Sequence, residues 1–285
     1  MGVMHPTRSQ ALVRATVVSL VAAAIAVAVV ESRQATGPAP VPRAAPAASS
    51  RPDRAVPFAV GESLTYDVAW SNFLVAGTAT VSVRERRTSG RSAAYYLVAE
   101  GQPIPLLARL YPVYYKADAL LDTRTLAAWW ASTFAREGQS ESTKVTRFDA
   151  GRKTATYEVH PSTAAPRNLP VAANSVDALS AIFLARAMSL AAGRSFELSV
   201  VDSGELYRIR MSVSGPEAVE SRMGPVQAWR LTPVFLDAAG KPGPTRNMTL
   251  WVSADERRLP IRLQAQVPVG TFDLVLRASS RGTGR

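Results

Sequence analysis

The residue types that most often perform catalysis are sparse in this chain and poorly arranged for it. The sequence contains no cysteine and two histidines, His5 and His160. Without cysteine, disulfides, thiol nucleophiles and cysteine metal sites are excluded. His160 has no second imidazole in the body of the chain, so we expect neither a transition-metal site nor a cofactor. It precedes Pro161 at the predicted end of a strand, where a solvent-facing histidine needs no catalytic role.

Hydrolysis ranks third among the functions that the sequence suggests, after two non-enzymatic ones given below. No G-x-S-x-G nucleophile elbow is present, so His160 would have to act as a base without a recognisable triad. Glycine-rich phosphate loops are also absent. Glu62 and Asp67 should fall on opposite faces of one strand. Two further acid pairs fall in predicted turns, where solvated acids are expected: Asp202 with Glu205, and Asp255 with Glu256. No catalytic residue is predicted.

Aromatic residues in strand patterns are the remaining candidates for a site. On the concave face of a curved sheet, such side chains can line an apolar cavity. The predicted ligand-binding residues are Tyr66, Trp70, Tyr115, Trp130, Phe183 and Trp251. Most aromatics in strands simply form core, so a packed interior is the alternative interpretation. Trp129 and Trp130 are adjacent, so we expect them to face opposite sides of their strand.

Short strands are the elements that must position these aromatics. From Glu62 to Trp70, apolar and polar residues alternate with the period of two that is typical of a half-buried strand. A second alternating run, from Val75 to Arg84, follows Ser71 and Asn72, which predicts a hairpin. About a dozen such runs with mostly tight connections favour antiparallel pairing. The later runs are Tyr95–Glu100, Tyr111–Leu121, Trp129–Arg136, Thr143–Phe148, Thr154–His160, Phe196–Val201, Leu206–Val213, Val226–Thr232, Met248–Val252, Ile261–Val267 and Thr271–Arg277.

One segment has a helical period instead. From Ser175 to Ala192, apolar residues recur on a single helical stripe: Val176, Leu179, Phe183, Ala187 and Leu190. Asn174 is a plausible N-cap, and Gly193 suits the position after the last turn. A solitary amphipathic helix in a sheet protein must lay its stripe on the sheet, so we expect it to cover the concave side.

The N-terminal residues have the order of an export signal. Arg8 and Arg14 precede an apolar run from Ala15 to Val30, and an Ala/Pro-rich stretch follows. The sequence thus predicts a signal peptide or uncleaved anchor over 1–35 and a flexible linker over 36–56. It predicts one β-rich domain over 57–279 and a disordered tail over 280–285. We expect export to the periplasm or another extracytoplasmic space, with residues 15–30 tethering an uncleaved chain to the inner membrane.

The charge is strongly basic, with a formal net value of +11. An exported protein meets anionic surfaces of the cell envelope rather than nucleic acid, so such a surface is the expected non-specific partner. The densest basic group, Arg84, Arg86, Arg87 and Arg91, lies among Ser and Gly as in a solvated turn. Nothing in the pattern specifies an oligomeric state.

Three motifs resemble one family. They are Phe58-x-x-Gly61-Glu62-x-Leu64-x-Tyr66-x-Val68-x-Trp70 followed by Ala76-Gly77, then Asp177-Ala178-Leu179-Ser180-Ala181, then Trp251-x-Ser253-x-Asp255-x-x-Arg258-Leu259-Pro260 with Gly270. Together they are similar to the exported bacterial domain of unknown function numbered 3108, from Phe58 to about Ala278. The resemblance implies a secreted or periplasmic protein and carries no catalytic residues. Its curved sheet with a helix is also distantly similar to the open β-barrels of periplasmic lipoprotein carriers, by architecture alone.

These observations predict a mainly β fold: a strongly curved antiparallel sheet or incomplete β-barrel with one packed amphipathic helix over 175–192. The leading function is non-enzymatic binding of an apolar or amphipathic ligand, lipid or lipoprotein-like, in the concave face of the sheet. The alternative is a structural or interaction module of the envelope with a packed interior. An apolar cavity of at least about 300 Å³ would favour the first, and a filled interior the second.

Overall fold

The computed structural model describes residues 52–70, 74–90, 92–236, 240–242, 247–267 and 270–282. Fourteen strands and two helices lie in this part of the chain. The first strands are β1 (Ser63–Trp70), β2 (Leu74–Ser89), β3 (Ser92–Pro103), β4 (Val113–Asp122), β5 (Ala128–Glu137), β6 (Ser140–Asp149), β7 (Thr154–His160) and β8 (Arg167–Pro170). The others are β9 (Ser195–Asp202), β10 (Glu205–Ser221), β11 (Gly224–Leu236), β12 (Met248–Ser253), β13 (Pro260–Val267) and β14 (Gly270–Ser280). The helices are α1 (Pro105–Leu110) and α2 (Ala178–Arg186).

All fourteen described strands belong to one sheet, in the order β8-β7-β6-β5-β4-β3-β2-β1-β14-β13-β12-β11-β10-β9. Every neighbouring pair is antiparallel, and β1 pairs with β14, so the first and last strands meet in the middle of the sheet. This confirms the predicted mainly β fold. The hairpin pairing of β1 with β2 is also present, while Ser71 and Asn72 lie outside the described residues.

The two edges of the sheet, β8 and β9, approach each other without a closing ladder. The turn between β9 and β10 lies against β6, β7 and β8. Lys144 Nζ donates to Ser203 Oγ at 3.2 Å, and Arg167 Nη2 pairs with Glu205 Oε1 at 2.8 Å. Gly204 packs against the ring of Tyr157, so side chains rather than backbone hydrogen bonds join the edges.

Helix α2 is shorter than the predicted 175–192 segment. It begins at Ala178 because the Asp177 side chain, not Asn174, caps it, accepting from the backbone N–H groups of Leu179 and Ser180. The residues before the cap belong to the sheet, since Val176 forms a parallel bridge with Val200 of β9. Of the predicted apolar stripe, Leu179 and Phe183 are buried on α2, whereas Val176 and Leu190 are buried in the core outside the helix.

Helix α1 and strand β8 lie in segments for which the sequence predicts no element. The strand predicted from Tyr111 begins at Val113, because residues 105–110 form α1 first.

The Arg84, Arg86 and Arg87 group lies on β2 rather than in a turn, and these arginines pair with Glu100, Asp53 and Glu85. Arg91 lies outside the described residues. No helix of the described chain is long and apolar enough to cross a membrane.

The described ends of the chain are attached to the sheet. In the predicted linker, Asp53 accepts from Thr123 Oγ1 at 2.6 Å and from Arg86, so contact with the domain begins before Pro57. At the other end, Ser280 still pairs with Ser63 in β14 and β1. Residues 1–51, with the predicted export segment, and 283–285 lie outside the described residues.

Candidate functional site

An apolar cavity lies between one face of α2 and strands β9 to β13. Its volume is about 120 Å³, and it is partly open to solvent. The helix contributes Ala178, Ala181, Ile182 and Ala185 to the lining. The strands contribute Leu198, Val200, Asp202, Tyr207, Ile209, Met211, Pro233, Phe235, Met248, Leu250 and Leu263.

The sequence explains why space remains here. Three of the four helix positions that line the cavity are alanines, whose short side chains do not reach the sheet. In β9 and β10, residues two apart share a face, so Leu198 and Val200 point to the same side, as do Ile209 and Met211. The opposite side of α2 carries Leu179 and Phe183 and is tightly packed, with Phe183 only 1% exposed. The helix therefore has one packed face and one face bordering the cavity.

Asp202, at the end of β9, is the acidic member of this lining. Burial raises its pKa to about 6, an effect that Asp177 increases and that Lys144 opposes. Its Oδ2 has no hydrogen-bond partner among the described residues. The carboxyl thus gives the apolar cavity one polar wall, on which the Oδ2 oxygen is free to accept a hydrogen bond.

A second, smaller cavity of about 30 Å³ shares Ala178 and Asp202 with the first. Its polar lining includes Asp177, Lys144 and Ser203. The volume is enough for one or two water molecules. Asp177 Oδ2 caps α2, whereas its Oδ1 has no hydrogen-bond partner among the described residues, and burial raises the pKa of this carboxyl. An apolar space and a polar space therefore lie side by side, an arrangement that suits an amphipathic molecule.

None of the six aromatics predicted to bind ligand lines the apolar cavity. Tyr66 is buried near Arg186, at the C-terminal end of α2, and donates to the carbonyl oxygen of Pro260 at 3.0 Å. Phe183 packs edge-on against Phe58, with ring centroids 5.0 Å apart. Both belong to the core on the packed side of the helix.

The other four predicted residues are spread over the sheet. Trp70 stacks on Phe272 with ring centroids 6.2 Å apart, and Tyr115 donates to Glu137. Trp251 Nε1 donates to Glu217 Oε1 at 2.6 Å, and Trp130 is half-buried on β5. Since most of them already have partners within the protein, their role toward a ligand stays a prediction. The aromatic side chains of the cavity are instead Tyr207 and Phe235.

One signal in the sequence could have located the cavity. The spacing of Ala178, Ala181 and Ala185 marks a small-residue face on the helix, opposite its large apolar stripe. Asp202 gives no such signal, because the turn sequence Asp202-Ser203-Gly204 is typical of a solvated acid. That interpretation is wrong, because the packing of this turn against Tyr157 and Lys144 buries the carboxyl.

The groups considered for hydrolysis are not assembled into a catalytic set. His160 is half-exposed and its Nε2 lies 3.3 Å from Glu158 Oε2. Glu62 binds Arg186 in the core, whereas Asp67 pairs with Arg222 and Arg277. Within the described chain, no three His, Asp or Glu side chains are grouped as a metal site.

Three residues of the family-like motifs, Phe58, Glu62 and Arg258, lie around one buried arginine. Arg186, at the last turn of α2, binds Glu62 and the carbonyl oxygens of Arg257 and Arg258. Its guanidinium lies beside the rings of Phe58 and Phe183, 5.3 and 5.2 Å from their centroids. The model of a family described as protein of unknown function (DUF3108) matches residues 65–277. The chain belongs to the DUF3108 family.

Among solved structures, this DUF3108 protein is similar to the crystal structure of a β-barrel-like protein of the domain of unknown function DUF1849 from Brucella abortus. The TM-score is 0.48 at 11% sequence identity, and the match covers 79% of this chain and 98% of the other. Comparison with curated proteins gave no match.

Proposed function

We propose that this DUF3108 protein is a non-enzymatic binding protein of the cell envelope that holds the apolar part of an amphipathic molecule between α2 and strands β9 to β13. The observation that carries the proposal is the alanine face of α2. It leaves a partly open apolar cavity beside a tightly packed core, and Asp202 supplies one polar wall. Burial of an acyl chain is favourable by about 0.8 kcal/mol per methylene, so such a site needs no catalytic group.

The size of the cavity limits what enters it. Its volume of about 120 Å³ is below the roughly 300 Å³ of sites that enclose a whole small molecule. We therefore propose that only one apolar segment, an acyl chain end or a ring, is enclosed, and that the rest of the ligand lies at the open side. The polar walls around Asp202 and Lys144 would meet a polar part of the molecule.

A second candidate function is a structural module of the envelope. The observation that favours it is the other side of α2, where Phe58, Phe183 and Tyr95 form a filled interior with ring centroids 5.0 and 5.3 Å apart. In that case the cavity beside Ala181 would be a packing defect without a ligand.

Titration with the neutral fluorescent probe N-phenyl-naphthylamine separates the two candidates. We expect saturable enhancement of probe fluorescence with the purified protein, and competition by long-chain alcohols. Ala181→Phe, which fills the cavity from the helix side, should abolish saturable binding. Ala278→Phe, which adds the same side chain at an exposed position of β14, should bind as the native protein does.

Folding of the variants is checked by circular dichroism. If Ala181→Phe does not fold, Ile182→Trp provides a second test, because Ile182 is only half-buried and a larger ring can turn partly toward solvent. Equal probe binding by the native protein and by a folded cavity-filled variant would contradict the proposal and favour the structural module.

A further inference from the structure

Helix α1 presents the most exposed large apolar side chains among the described residues. Leu106 is 66% exposed and Leu110 is 77% exposed, and no residue of this helix is buried. Residues four apart lie on the same face of a helix, so the two leucines form one apolar ridge. Pro105 and Pro112 extend the exposed apolar surface at either end of the helix. A ridge of this kind indicates an interaction surface.

The ridge lies at the end of the sheet that the apolar cavity reaches. Helix α1 connects the end of β3 to the start of β4. Because all neighbouring strands are antiparallel, β9 and β11 end at this same side and β12 begins there. The cavity residues Asp202, Phe235 and Met248 are at or next to those strand ends. The exposed ridge and these cavity residues therefore lie at the same end of the sheet.

The charge around the ridge indicates its partner. The segment that carries the ridge, residues 101–117, contains no acid and two cations, Arg109 and Lys116. The turn at Gly138 contacts Pro112 and brings Glu137 and the Arg136–Glu141 ion pair close to the end of the helix. Lys116 pairs with Asp118 at 2.9 Å, whereas Arg109 is exposed and has no acidic partner among the described residues. The whole chain carries a formal net charge of +11. Apolar side chains beside an unpaired cation, on a basic protein, are complementary to the headgroup region of an anionic lipid bilayer.

We propose that α1 is a membrane-docking element, which inserts Leu106 and Leu110 into the interface of an anionic bilayer with Arg109 at the lipid phosphates. Docking in this orientation places the end of the sheet with Asp202, Phe235 and Met248 nearest the lipid surface. This contact is independent of ligand binding in the cavity. Leucine insertion supplies the apolar part of the affinity, and Arg109 supplies preference for negative charge.

Vesicle co-sedimentation of the purified chain lacking residues 1–35, the predicted export segment, tests the proposal. Vesicles of phosphatidylethanolamine with phosphatidylglycerol should bind the protein, and pure phosphatidylcholine vesicles should bind it more weakly. Leu106→Glu with Leu110→Glu should reduce partitioning more than about tenfold, because two apolar side chains no longer enter the interface. Arg109→Ala should reduce it by about fivefold at low salt and weaken its dependence on salt.

Met223→Glu is the matched control, since Met223 is 47% exposed in the turn between β10 and β11, at the opposite end of the sheet. It should bind vesicles as the unsubstituted protein does. Absence of binding to anionic vesicles, or equal binding by the double leucine variant, would overturn the proposal. Binding of a second protein to the leucine ridge, without binding of the ridge to vesicles, would also overturn it. Probe binding in the cavity is measured without lipid, so each proposal can fail without the other.

Discussion

Arg186 and Glu62 form a bidentate ion pair in the core, although 124 positions separate them in the chain. The Nη1 to Oε1 distance is 2.7 Å and the Nη2 to Oε2 distance is 3.0 Å. The arginine side chain is fully buried and the glutamate side chain is 6% exposed. This pair attaches the end of α2 to the residues that precede β1. It thereby fixes the C-terminal end of the helix whose alanine face borders the cavity.

Removing one partner of this pair should be strongly destabilising. We expect Arg186→Met to lower the free energy of unfolding by about 3 to 5 kcal/mol, because the carboxylate of Glu62 remains buried without a counter-charge. Urea denaturation followed by tryptophan fluorescence measures the change.

The double variant Glu62→Met with Arg186→Met supplies the control. It should be less destabilised than the single Arg186→Met variant, since no unpaired charge is left in the core. If the double variant lost as much free energy of unfolding as the two single variants together, the charges of the pair would not be coupled, and its contribution would come from packing alone.

The approach of the two sheet edges depends on Gly204. Its φ is +76°, and a Cβ at this position would lie 2.6 Å from the Tyr157 ring. Gly193 has the same φ with open space around it. We expect Gly193→Ala to cost about 1 kcal/mol of stability from its backbone conformation alone. Gly204→Ala should cost at least about 1 kcal/mol more, because the ring must also move.

Thermal unfolding of the two glycine variants checks this difference. Tyr157→Ala combined with Gly204→Ala should remove the extra cost of the Gly204 substitution. Equal destabilisation at the two glycines would show that the edge contact does not hold the sheet ends together.

Asp202 should make stability fall as the pH rises. In the folded protein its pKa is raised to about 6, whereas in the unfolded chain it returns to about 3.9. The folded state therefore binds the proton more tightly, and the advantage is lost between about pH 4 and pH 6 as the carboxyl ionises. The two pKa values correspond to about 2 to 3 kcal/mol over this range.

Asp202→Asn tests this assignment through urea denaturation at about pH 4 and about pH 8. The decrease in the free energy of unfolding with pH should be smaller in the variant than in the native protein. Part of the decrease should remain, because burial also raises the pKa of Asp177. An unchanged pH profile in Asp202→Asn would show that this carboxyl is not the titrating group.

The strands were predictable because their signal is local. In β1, one face carries Leu64, Tyr66 and Val68, and this alternation is sufficient to place the strand and its buried side. The order of the strands in the sheet was not predicted, because pairing β1 with β14 depends on contacts between the two ends of the chain.

The site was less predictable because it depends on side-chain volume that is missing at the cavity and on contacts between residues far apart in the chain. Large aromatics such as Phe183 fill the core, whereas the cavity exists where Ala181 and Ala185 fail to fill space. The partner of Arg186 is 124 residues away, and the burial of Asp202 comes from β6 and β7. Neither relationship has a short-range pattern in the sequence.

Native mass spectrometry with lipid extraction, on the protein purified from its own envelope, tests the central claim most directly. We predict a bound amphiphile on the native protein and on the Ala278→Phe variant, and its absence from the folded Ala181→Phe variant. Ligand-free masses for all three proteins, with no lipid recovered on extraction, would contradict the binding function.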